Sequence, residues 1–400
     1  MMHALKAMDN IWWVGALDPN LRVFDIIMRS EYGTTYNAYL VRGANKTALI
    51  ETVKHSFWNE CAERIRSVCD PSEIDYLIVD HTEPDHVGSV ASLLQVAPNA
   101  TVVGTKTAIQ FLSQIVNGPF SSMVVGEGDE LDLGGLTLRF LWVPMLHWPD
   151  TMYTYIPERA ALFTCDSFGC HYSDERVFND LIEGDFYDAY KYYFDNIIGP
   201  YKHPHMTNAL KKIEGLDIQF IGNGHGPVLR ANIPYYIDLY KNWCAPTVNA
   251  TKSVAVAYVS AYGYTEQLAR EIVAGLHAGG VDEVRLFDLV TDDNQAAADA
   301  VLASDGFLLG SPTIVGDALP PVYGLLNGFN PVIHRGRPAG AFGSYGWSGE
   351  AVPNLIGEMT RRRLSVPLPG FKVNFKPNEQ DLRNAYEFGR AFAGVVLAQK

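Results

Sequence analysis

The sequence predicts an α/β protein of two domains, and three observations support that prediction. The chain has 400 residues, more than a single domain of about 100–200 residues normally holds. Apolar residues make up 48% of it, which is enough for packed cores. Short apolar segments alternate with helix-like segments along most of the chain, and this alternation is typical of sheets covered by helices.

The first domain is predicted to occupy residues 1–247, as short strands with intervening helices. A Gly-Ala-Asn turn joins its first two strands, and a helix-like segment runs from His86 to about Gln95. The predicted strands of this domain are residues 34–42, 46–53, 74–80, 101–104, 136–143, 160–164 and 217–221. Residues 245–250 have the composition of a linker.

The second domain is predicted to occupy residues 251–400, where strands and helices alternate at the spacing of a doubly wound parallel sheet. Its predicted strands are residues 253–259, 284–288, 306–310 and 339–343. Its predicted helices are residues 265–278 and 378–398. Ligand sites of such sheets form beyond the strand ends, so we expect function on the loops that follow these strands.

The charge and the cysteines exclude several classes of function. A net charge of −14 argues against binding to nucleic acid or to anionic membranes. The five cysteines are scattered, without a Cys-x-x-Cys pair, which fits a reducing compartment and excludes a zinc or iron–sulfur site built from cysteine. The N-terminus lacks a signal pattern, and no apolar run approaches the roughly 20 residues of a membrane span. We therefore expect a cytoplasmic protein.

Four potential metal ligands lie within six residues, directly after the predicted strand 74–80. They are His81, Glu83, Asp85 and His86. Pro84 stiffens the turn that carries them. A strand that ends in two imidazoles and two carboxylates predicts a metal site more readily than an ordinary charged loop.

Three further candidate ligands follow other predicted strands of the same domain. They are His147, Asp166 and His225, each on a different loop. Seven ligands are too many for one ion and suit two, and Asp166, which stands alone on its loop, is the natural bridge. Four imidazoles with three carboxylates and no thiolate suit iron or manganese well, and zinc acceptably.

The order His-x-Glu-x-Asp-His, then His, Asp and His, resembles the flavodiiron proteins, a branch of the metallo-β-lactamase superfamily. The similarity covers essentially the whole chain, including residues 33–40 and 145–150. Zinc hydrolases of that superfamily usually carry His where this chain has Glu83, so this residue favours redox iron. The resemblance implies a metallo-β-lactamase-like αββα sandwich, a flavodoxin-like second domain and the minimal two-domain class of the family.

The resemblance also assigns two non-haem irons to the seven ligands. One iron would take His81, Glu83 and His147, the other would take Asp85, His86 and His225, and Asp166 would bridge them. Some members of the family leave the position of His86 uncoordinated. Tyr193 matches a position where the family places a tyrosine near the diiron pocket, and His171 is a candidate beside the ligands. The alternative for Tyr193 is that a tyrosine-rich helix only packs against the core.

Three loops of the second domain predict a flavin site. The first follows strand 253–259 and leads into a helix, so backbone N–H groups, the helix dipole and hydroxyl groups would meet a phosphate. It lacks the G-x-G-x-x-G dinucleotide pattern and the Walker lysine. The loops at 310–313 and 343–349 add aromatic rings beside glycines, and the layout resembles flavodoxin, which implies FMN.

The FMN-binding candidates come from all three loops. They are Ser260, Tyr262, Gly263, Tyr264, Thr265, Pro312, Thr313, Ile314, Ser344, Tyr345, Gly346, Trp347 and Gly349. At residues 314–317 the chain has Ile-Val-Gly-Asp where the family often has Asn, so backbone amides would replace those side-chain contacts. The alternative for Tyr345 and Trp347 is packing in the core.

The resemblance implies an oxidoreductase that reduces O2 to water, NO to N2O, or both, while FMN passes on electrons from an external donor. We expect no rubredoxin or flavin-reductase module in the chain, so the donor would be separate, either rubredoxin or a reduced deazaflavin. The first domain has an expected radius of gyration of ~18 Å. Flavin and iron of one chain would then lie far apart, so we expect a head-to-tail homodimer, possibly a tetramer. The basic run Arg361 to Arg363 is a candidate docking site for an acidic donor.

Two other functions are compatible with parts of the sequence. One is a zinc metallo-hydrolase of the lactamase superfamily with a fused flavodoxin-like module, against which Glu83 and the flavin loops argue. The other is an electron carrier whose metal site is vestigial, against which the presence of all seven ligands argues. Metal analysis and the visible spectrum would separate the three.

Overall fold

The structure, a computed structural model, describes residues 2–24, 28–245 and 251–399. The chain divides into two compact units, Met1–Pro246 and Thr247–Lys400. Of the predicted linker 245–250, residues 246–250 lie outside the described residues. The predicted end of the first domain at residue 247 lies outside them as well.

The first unit is built on two main sheets. Its strands are β1 (Leu5–Met8), β2 (Ile11–Trp13), β3 (Ala16–Asp18), β4 (Val23–Phe24), β5 (Met28–Arg29), β6 (Thr34–Tyr36), β7 (Tyr39–Arg42), β8 (Thr47–Ile50), β9 (Tyr76–Val79), β10 (Thr101–Gly104), β11 (Ser122–Val124), β12 (Glu130–Asp132), β13 (Thr137–Trp142), β14 (Met152–Ile156), β15 (Ala161–Cys165) and β16 (Phe220–Asn223). Its α-helices are α1 (Trp58–Arg66), α2 (Pro84–Val87), α3 (Val90–Val96), α4 (Lys106–Val116), α5 (Tyr187–Tyr193), α6 (Thr207–Ile213) and α7 (Ile233–Cys244).

One sheet has seven strands in the order β1-β2-β7-β8-β9-β10-β11, and the other runs β12-β13-β14-β15-β16. The pleat of β7 directs neighbouring side chains to opposite faces. The Tyr39 ring packs against Phe163 of the second sheet, with centroids 5.0 Å apart, whereas Leu40 belongs to the core cluster that contains Ile65 of α1. The sheets therefore face each other and the helices cover their outer faces, which confirms the predicted αββα sandwich.

The segment 34–42, predicted as one strand, is two. Residues Thr34–Tyr36 pair with β3, and Tyr39–Arg42 pair with β2 and β8 in the large sheet. The break falls at Asn37, whose backbone N–H donates to the Gly224 carbonyl at 2.9 Å and whose Nδ2 donates to the Gly226 carbonyl at 3.1 Å. A buried amide with partners outside the ladder ends the strand.

The helix predicted from His86 to about Gln95 is also interrupted. It comprises α2 and α3, separated by Gly88 and Ser89. The His86 carbonyl accepts a hydrogen bond from the Thr52 N–H at 2.9 Å, so it does not continue the helical ladder. The last predicted strand of this domain, 217–221, instead begins at Phe220 and ends at Asn223. Strand β14 was not predicted, because Thr and Tyr interrupt its apolar run.

The second unit is a single parallel sheet covered on both faces, which confirms the predicted doubly wound fold. Its strands are β17 (Ser253–Tyr258), β18 (Glu283–Asp288), β19 (Gly306–Gly310), β20 (Ala339–Tyr345) and β21 (Phe371–Asn374), in the order β18-β17-β19-β20-β21. Its helices are α8 (Tyr264–Ala278), α9 (Asn294–Ala303), α10 (Pro320–Leu326), α11 (Ala351–Arg361) and α12 (Glu379–Leu397). Helices α8 and α12 cover one face, and α9, α10 and α11 cover the other. Within the described residues, no helix has the length and apolar character that crossing a membrane requires.

Candidate metal centre and flavin loops

The structure brings all seven predicted metal ligands together at the strand ends of the first unit. Pro84 occupies the first position of α2, which suits its fixed φ and missing N–H, and this short helix places Asp85 and His86 in its first turn. The other ligands follow β9, β13, β15 and β16. Most of the seven side chains are buried, while Glu83 and His147 are partly exposed.

The first group of donors surrounds one Glu83 carboxylate oxygen. His147 Nε2 lies 2.9 Å from Glu83 Oε2, and His81 Nε2 lies 3.3 Å from the same atom. Both imidazole nitrogens also lie near Asp166 Oδ2, at 3.5 Å for His81 and 3.4 Å for His147. Two imidazoles and two carboxylates thus aim single donor atoms at a common point.

The second group faces the other oxygen of Asp166. His86 Nε2 lies 3.2 Å from Asp166 Oδ1, and His225 Nε2 lies 3.5 Å from it. His225 Nε2 is also 3.2 Å from Asp85 Oδ2, and His86 Nε2 is 3.6 Å from Asp85 Oδ1. Asp166 therefore stands between two donor groups, with one oxygen toward each.

The charges of this cluster favour cations between its members. Burial lowers the pKa of His81, but the carboxylates around it outweigh burial and raise the pKa to about 10. The pKa values of His86 and His147 are raised to about 10 in the same way. Burial raises the pKa of Asp166, but the imidazoles outweigh it and hold the pKa well below its usual range. Among the described residues, Asp85 Oδ1, Asp85 Oδ2 and Asp166 Oδ2 are buried without a hydrogen-bond donor, as metal-binding oxygens are.

Residues outside the ligand set orient these imidazoles through their second ring nitrogen. The sequence did not predict this role for them. His225 Nδ1 lies 2.6 Å from the Thr35 carbonyl, which fixes the tautomer with Nε2 free. His81 Nδ1 lies 3.4 Å from Asp150 Oδ2, and that carboxylate accepts hydrogen bonds from the Thr82 N–H at 2.8 Å and hydroxyl at 2.7 Å. Asp150 and Thr35 belong to the segments 145–150 and 33–40, which already stood out by family resemblance.

Glu51, a buried carboxylate behind the ligands, was also not predicted. Its Oε1 accepts hydrogen bonds from the backbone N–H groups of Asp80 at 2.7 Å and His81 at 3.1 Å. Burial raises the pKa of Glu51 to about 7, against the charges of the nearby imidazoles. Glu51 directly follows β8, so its position at a strand end was the available signal. It fixes the backbone on which His81 stands.

Tyr193 and His171 both lie beside the donor groups. The Tyr193 hydroxyl donates to Asp166 Oδ1 at 3.0 Å. The His171 ring lies 4.8 Å from the Tyr193 ring and 5.3 Å from the His225 ring, and its Nδ1 is 2.9 Å from Thr34 Oγ1. Burial, with the charge of His225, lowers the pKa of His171 to about 3. His171 is therefore a neutral neighbour of the site.

The three candidate flavin loops follow β17, β19 and β20, at the carboxyl ends of the strands of the second sheet. Gly263, with φ of 76°, precedes α8, where Ser260 Oγ accepts from the Glu266 N–H at 3.3 Å. Thr265 Oγ1 and Ser344 Oγ are 3.0 Å apart and join the first loop to the third. The Thr313 N–H donates to the Ser344 carbonyl at 2.9 Å, which ties the second loop to the third as well.

The remaining flavin candidates differ in exposure: three are exposed (Tyr262, Ile314, Trp347), three are half-buried (Tyr264, Tyr345, Gly346) and two are buried (Pro312, Gly349). Trp347 is 97% exposed and Tyr262 is 82% exposed, so packing in the core does not explain these two rings. Tyr345, the other ring for which core packing was the alternative, is half-buried, with the Lys372 ammonium 5.2 Å from its centroid. Val315 and Gly316 have φ of 55° and 75°, the geometry of a tight turn, which is closed by the Ile314 N–H donating to the Asp317 carbonyl at 3.0 Å. The backbone of this turn is where amides would replace the missing Asn side chains.

The basic run Arg361 to Arg363 lies at the opposite end of the strands, near the point where β20 begins. Helix α11 begins beside the flavin loops, and its 11 residues span about 16 Å. The Gly336 N–H donates to the Arg363 carbonyl at 2.9 Å, shortly before β20 begins. Closeness in sequence therefore does not bring this run beside the flavin loops, and its role as a docking site for an acidic donor stays a prediction.

Comparisons with known proteins agree with this arrangement. Residues 34–226 match the ODP family beta lactamase, and residues 256–389 match flavodoxin. A flavo-diiron protein of Clostridium acetobutylicum is 41% identical and covers 99% of this chain and 100% of its own. A nitric oxide reductase of Moorella thermoacetica is 36% identical with the same coverage. The solved rubredoxin oxygen:oxidoreductase of Desulfovibrio gigas has a TM-score of 0.69 at 29% identity, over 99% of each chain.

The family follows from these matches. A relative of 41% identity over nearly the full length of both chains leaves no large segment unaccounted for. The donor set of imidazoles and carboxylates, without thiolate, suits iron, and the flavodoxin module suits FMN. The chain therefore belongs to the flavodiiron proteins, oxidoreductases with a non-haem diiron site and an FMN-binding flavodoxin module.

Proposed function

We propose that His81, Glu83 and His147 bind one iron, that Asp85, His86 and His225 bind the other, and that Asp166 bridges the two. The observation that carries this proposal is the position of Asp166, whose two oxygens face different donor groups at 3.2–3.5 Å. The orphaned oxygens of Asp85 and Asp166 and the fixed tautomer of His225 support it. His86 belongs to the proposed set because its Nε2 points at both carboxylates of its group.

We propose further that the protein reduces O2 to water, NO to N2O, or both. Bound at this site, the iron pair would hold the gas and supply two electrons, with two more available from FMN. Burial of most donors keeps bulk water from the reacting gas. The Tyr193 hydroxyl donates to Asp166 at 3.0 Å, which keeps a phenol proton at the edge of the site, where the hydroxyl can turn and donate to a bound gas molecule instead. The relatives named for nitric oxide and for oxygen support both substrates.

The flavin would bind at the loops after β17, β19 and β20. The phosphate would meet the N-terminus of α8, with the hydroxyls of Ser260 and Thr265 beside it. The rings of Tyr345 and Trp347 would flank the isoalloxazine, with Tyr262 and Tyr264 nearby. The exposure of Trp347 and Tyr262 supports this proposal, because a ligand is needed to cover them.

Electrons would come from a separate donor, rubredoxin or a reduced deazaflavin, and the protein would act as a head-to-tail homodimer or as a tetramer built from two such dimers. The rubredoxin-named relative supports the first donor. The exposed apolar side chains at the flavin edge, Tyr262, Val315 and Trp347, support a partner chain there. All five cysteines are free, which suits the reducing cytoplasm as the compartment.

Elemental analysis and the visible spectrum of the purified protein test the cofactors and their site. We expect two irons and one FMN per chain; zinc with flavin would support the hydrolase, and flavin without metal would support the electron carrier. The variant Glu83→His restores the donor usual in zinc hydrolases, so we expect its zinc-to-iron ratio to rise when both metals are supplied. An unchanged ratio would contradict the role given to Glu83.

Anaerobic stopped-flow mixing of the reduced protein with each gas tests the reaction. Oxidation of flavin and of reduced rubredoxin by O2, by NO or by both would identify the substrate. If neither gas reoxidises the iron-loaded protein, the proposed reaction is wrong. Sedimentation velocity tests the assembly, and a monomer with full turnover would contradict the dimer.

A further inference from the structure

A second set of metal-type donors lies behind the candidate metal centre. It consists of Glu51, His86 and Cys165, all of them buried. One nitrogen of His86, one carboxylate oxygen of Glu51 and the Cys165 sulfur lie within 4.8 Å of one another. Donors so close can converge on one cation, whose bonds to nitrogen, oxygen and sulfur are about 2.0–2.3 Å long. From here on we call this set the rear triad.

Three separate elements supply the rear triad, and backbone hydrogen bonds hold each of them. Glu51 directly follows β8, His86 belongs to α2, and Cys165 is the last residue of β15. The Thr52 N–H donates to the His86 carbonyl at 2.9 Å, which joins the end of β8 to α2. The Gly224 N–H donates to the Cys165 carbonyl. The three donors therefore stand on fixed backbone rather than on a free loop.

Glu51 uses only one of its two oxygens within the protein. Its Oε1 accepts hydrogen bonds from the backbone N–H groups of Asp80 and His81. Its Oε2 is buried and has no hydrogen-bond donor among the described residues. Burying a carboxylate oxygen without a partner is unfavourable, so its position beside two other metal-type donors points to a ligand.

His86 likewise has one ring nitrogen to spare. Its Nε2 faces the candidate metal centre, 3.2 Å from Asp166 Oδ1 and 3.6 Å from Asp85 Oδ1. Its Nδ1 is buried without a hydrogen-bond partner among the described residues, so this nitrogen is the one left for the rear triad. His225 differs, because its Nδ1 lies 2.6 Å from the Thr35 carbonyl. A metal-binding histidine almost always has a partner on its second nitrogen, and His86 has none apart from the rear triad.

The chemistry of the rear triad differs from that of the seven donors at the candidate metal centre. A thiol, an imidazole and a carboxylate together suit a thiophilic divalent cation, and zinc takes all three ligand types. A coordinating thiol is deprotonated outright, so binding of the cation would release the thiol proton and the Nδ1 proton of His86. The scattered cysteines exclude a site built from cysteine alone, whereas the rear triad needs only one.

We propose that Glu51 Oε2, His86 Nδ1 and the Cys165 thiolate bind a zinc ion, as a third metal site beside the two proposed for iron. His86 then joins the third site to the proposed iron site through its two ring nitrogens. The zinc ion does for His86 what the Thr35 carbonyl does for His225, because it fixes the ring with Nε2 toward Asp166. The third site does not depend on the reduction of O2 or NO.

X-ray absorption at the zinc K edge tests the third site in the full chain with FMN, produced with iron and zinc both supplied. We expect about one zinc beside two irons per chain, and a zinc–sulfur distance of about 2.3 Å. The seven donors of the candidate metal centre include no thiolate, so zinc that enters that centre shows nitrogen and oxygen only. Within the described part of the chain, no other group of three metal-type donors contains a cysteine. The sulfur signal therefore reports on the rear triad alone.

Two variants and a control locate the signal. Cys165→Ser should abolish the sulfur signal and lower the zinc content by about one per chain. Glu51→Gln keeps an oxygen for the two backbone N–H groups but replaces the free oxygen, so zinc affinity should fall at least about tenfold in competition with a chelator. Cys61→Ser, at a buried cysteine of α1, should keep the zinc and its sulfur signal. If Cys165→Ser does not fold, Glu51→Gln carries the test.

The outcomes separate this proposal from the proposed function. Zinc without a sulfur signal, a sulfur signal that survives in Cys165→Ser, or an unchanged zinc affinity in Glu51→Gln would overturn the third site. A sulfur signal that depends on Cys165 in a protein inert to both gases would support the third site and count against the proposed function alone.

The orienting role of the zinc ion has its own readout. Loss of zinc in Cys165→Ser should lower the affinity of the iron that His86 binds by about 10–100-fold, as for other partners of metal-binding histidines. Competition with an iron chelator measures this, with Cys61→Ser as control. An iron affinity equal to that of the control would contradict the orienting role.

Discussion

The metal centre and the flavin loops both lie at strand ends, yet the two regions are built in opposite ways. At the metal centre the donors are side chains, most of them buried, and several have an outer partner that fixes their orientation. At the flavin edge the loops are tied together through backbone groups and hydroxyls, while Trp347 and Tyr262 stand in solvent. The candidate metal site is thus preorganised by packing, whereas the candidate flavin loops form a frame whose surface the proposed ligand would complete.

This difference has an energetic consequence. Small ions bind through a few strong contacts, so each donor and each outer partner matters individually. A flavin spreads many weaker contacts over three loops, so single side chains matter less and the packing beneath the loops matters more. Four substitutions test this contrast, and they are ordered by expected effect.

Asp166→Asn should have the largest effect. The amide keeps the shape of the side chain but removes the charge and one oxygen that faces a donor group. We expect both irons to be lost, with an effect on metal affinity larger than the about 10–100-fold typical of outer partners. Iron content per chain, measured beside Asp238→Asn on the exposed face of α7, checks this. Full iron content in Asp166→Asn would contradict its bridging position.

Gly275→Ala should destabilise the packing of α8 on α12, which supports the sheet that carries the flavin loops. A Cβ at Gly275 of α8 would lie 2.0 Å from the Tyr386 carbonyl of α12, and backbone cannot move aside as a side chain can. We expect the free energy of unfolding to fall by about 3 kcal/mol, at the upper end for overpacking. Denaturant unfolding of the flavodoxin unit measures it.

The matched control lies on the same pair of helices. A Cβ at Gly394 of α12 would meet nothing within 4 Å, so Gly394→Ala should raise stability by about 0.5–1 kcal/mol through helix propensity. An equal change in the free energy of unfolding in both variants would mean that the close contact of α8 and α12 does not stabilise the flavodoxin unit.

Asp150→Asn should weaken the metal centre without removing a ligand. It disturbs the carboxylate that faces His81 Nδ1 and anchors Thr82. We expect iron affinity to fall about 10–100-fold, as for other outer partners of metal-binding histidines. Competition with a chelator measures the affinity, and Asp9→Asn, an exposed carboxylate, serves as the control. An iron affinity equal to that of the control would mean that Asp150 does not orient His81.

Trp347→Ala should have the smallest effect. The ring is almost fully exposed, so its loss should leave the fold intact and remove only its stacking on the flavin. Stacking of a flat ring on an aromatic side chain contributes on the order of 1–3 kcal/mol, so we expect FMN affinity to fall roughly tenfold. Fluorescence titration measures it, with Ile333→Ala at the opposite edge of the sheet as control. A loss of FMN as complete as the loss of iron in Asp166→Asn would erase the contrast between the two regions.

The sequence predicted the two folds and the positions of the metal candidates, for an identifiable reason. The first four candidates are neighbours in the chain, and the rest follow separate strands whose ends meet at one edge. The pattern could not show that 34–42 breaks at Asn37, because that residue is bonded to a turn nearly two hundred positions later. Nor could the pattern show that α11 carries Arg361 to Arg363 away from the flavin loops to which they are close in sequence.

By itself, the sequence determined the residue types of the donors, the absence of thiolates among them and the alternation of strands and helices. These are local properties, and they follow from composition and spacing. Only the tertiary structure decided that the two oxygens of Asp166 face different donor groups and that Asp150 and Thr35 hold the imidazoles. Those contacts join residues far apart in the chain, and their geometry depends on how the packed sheets and helices direct each side chain.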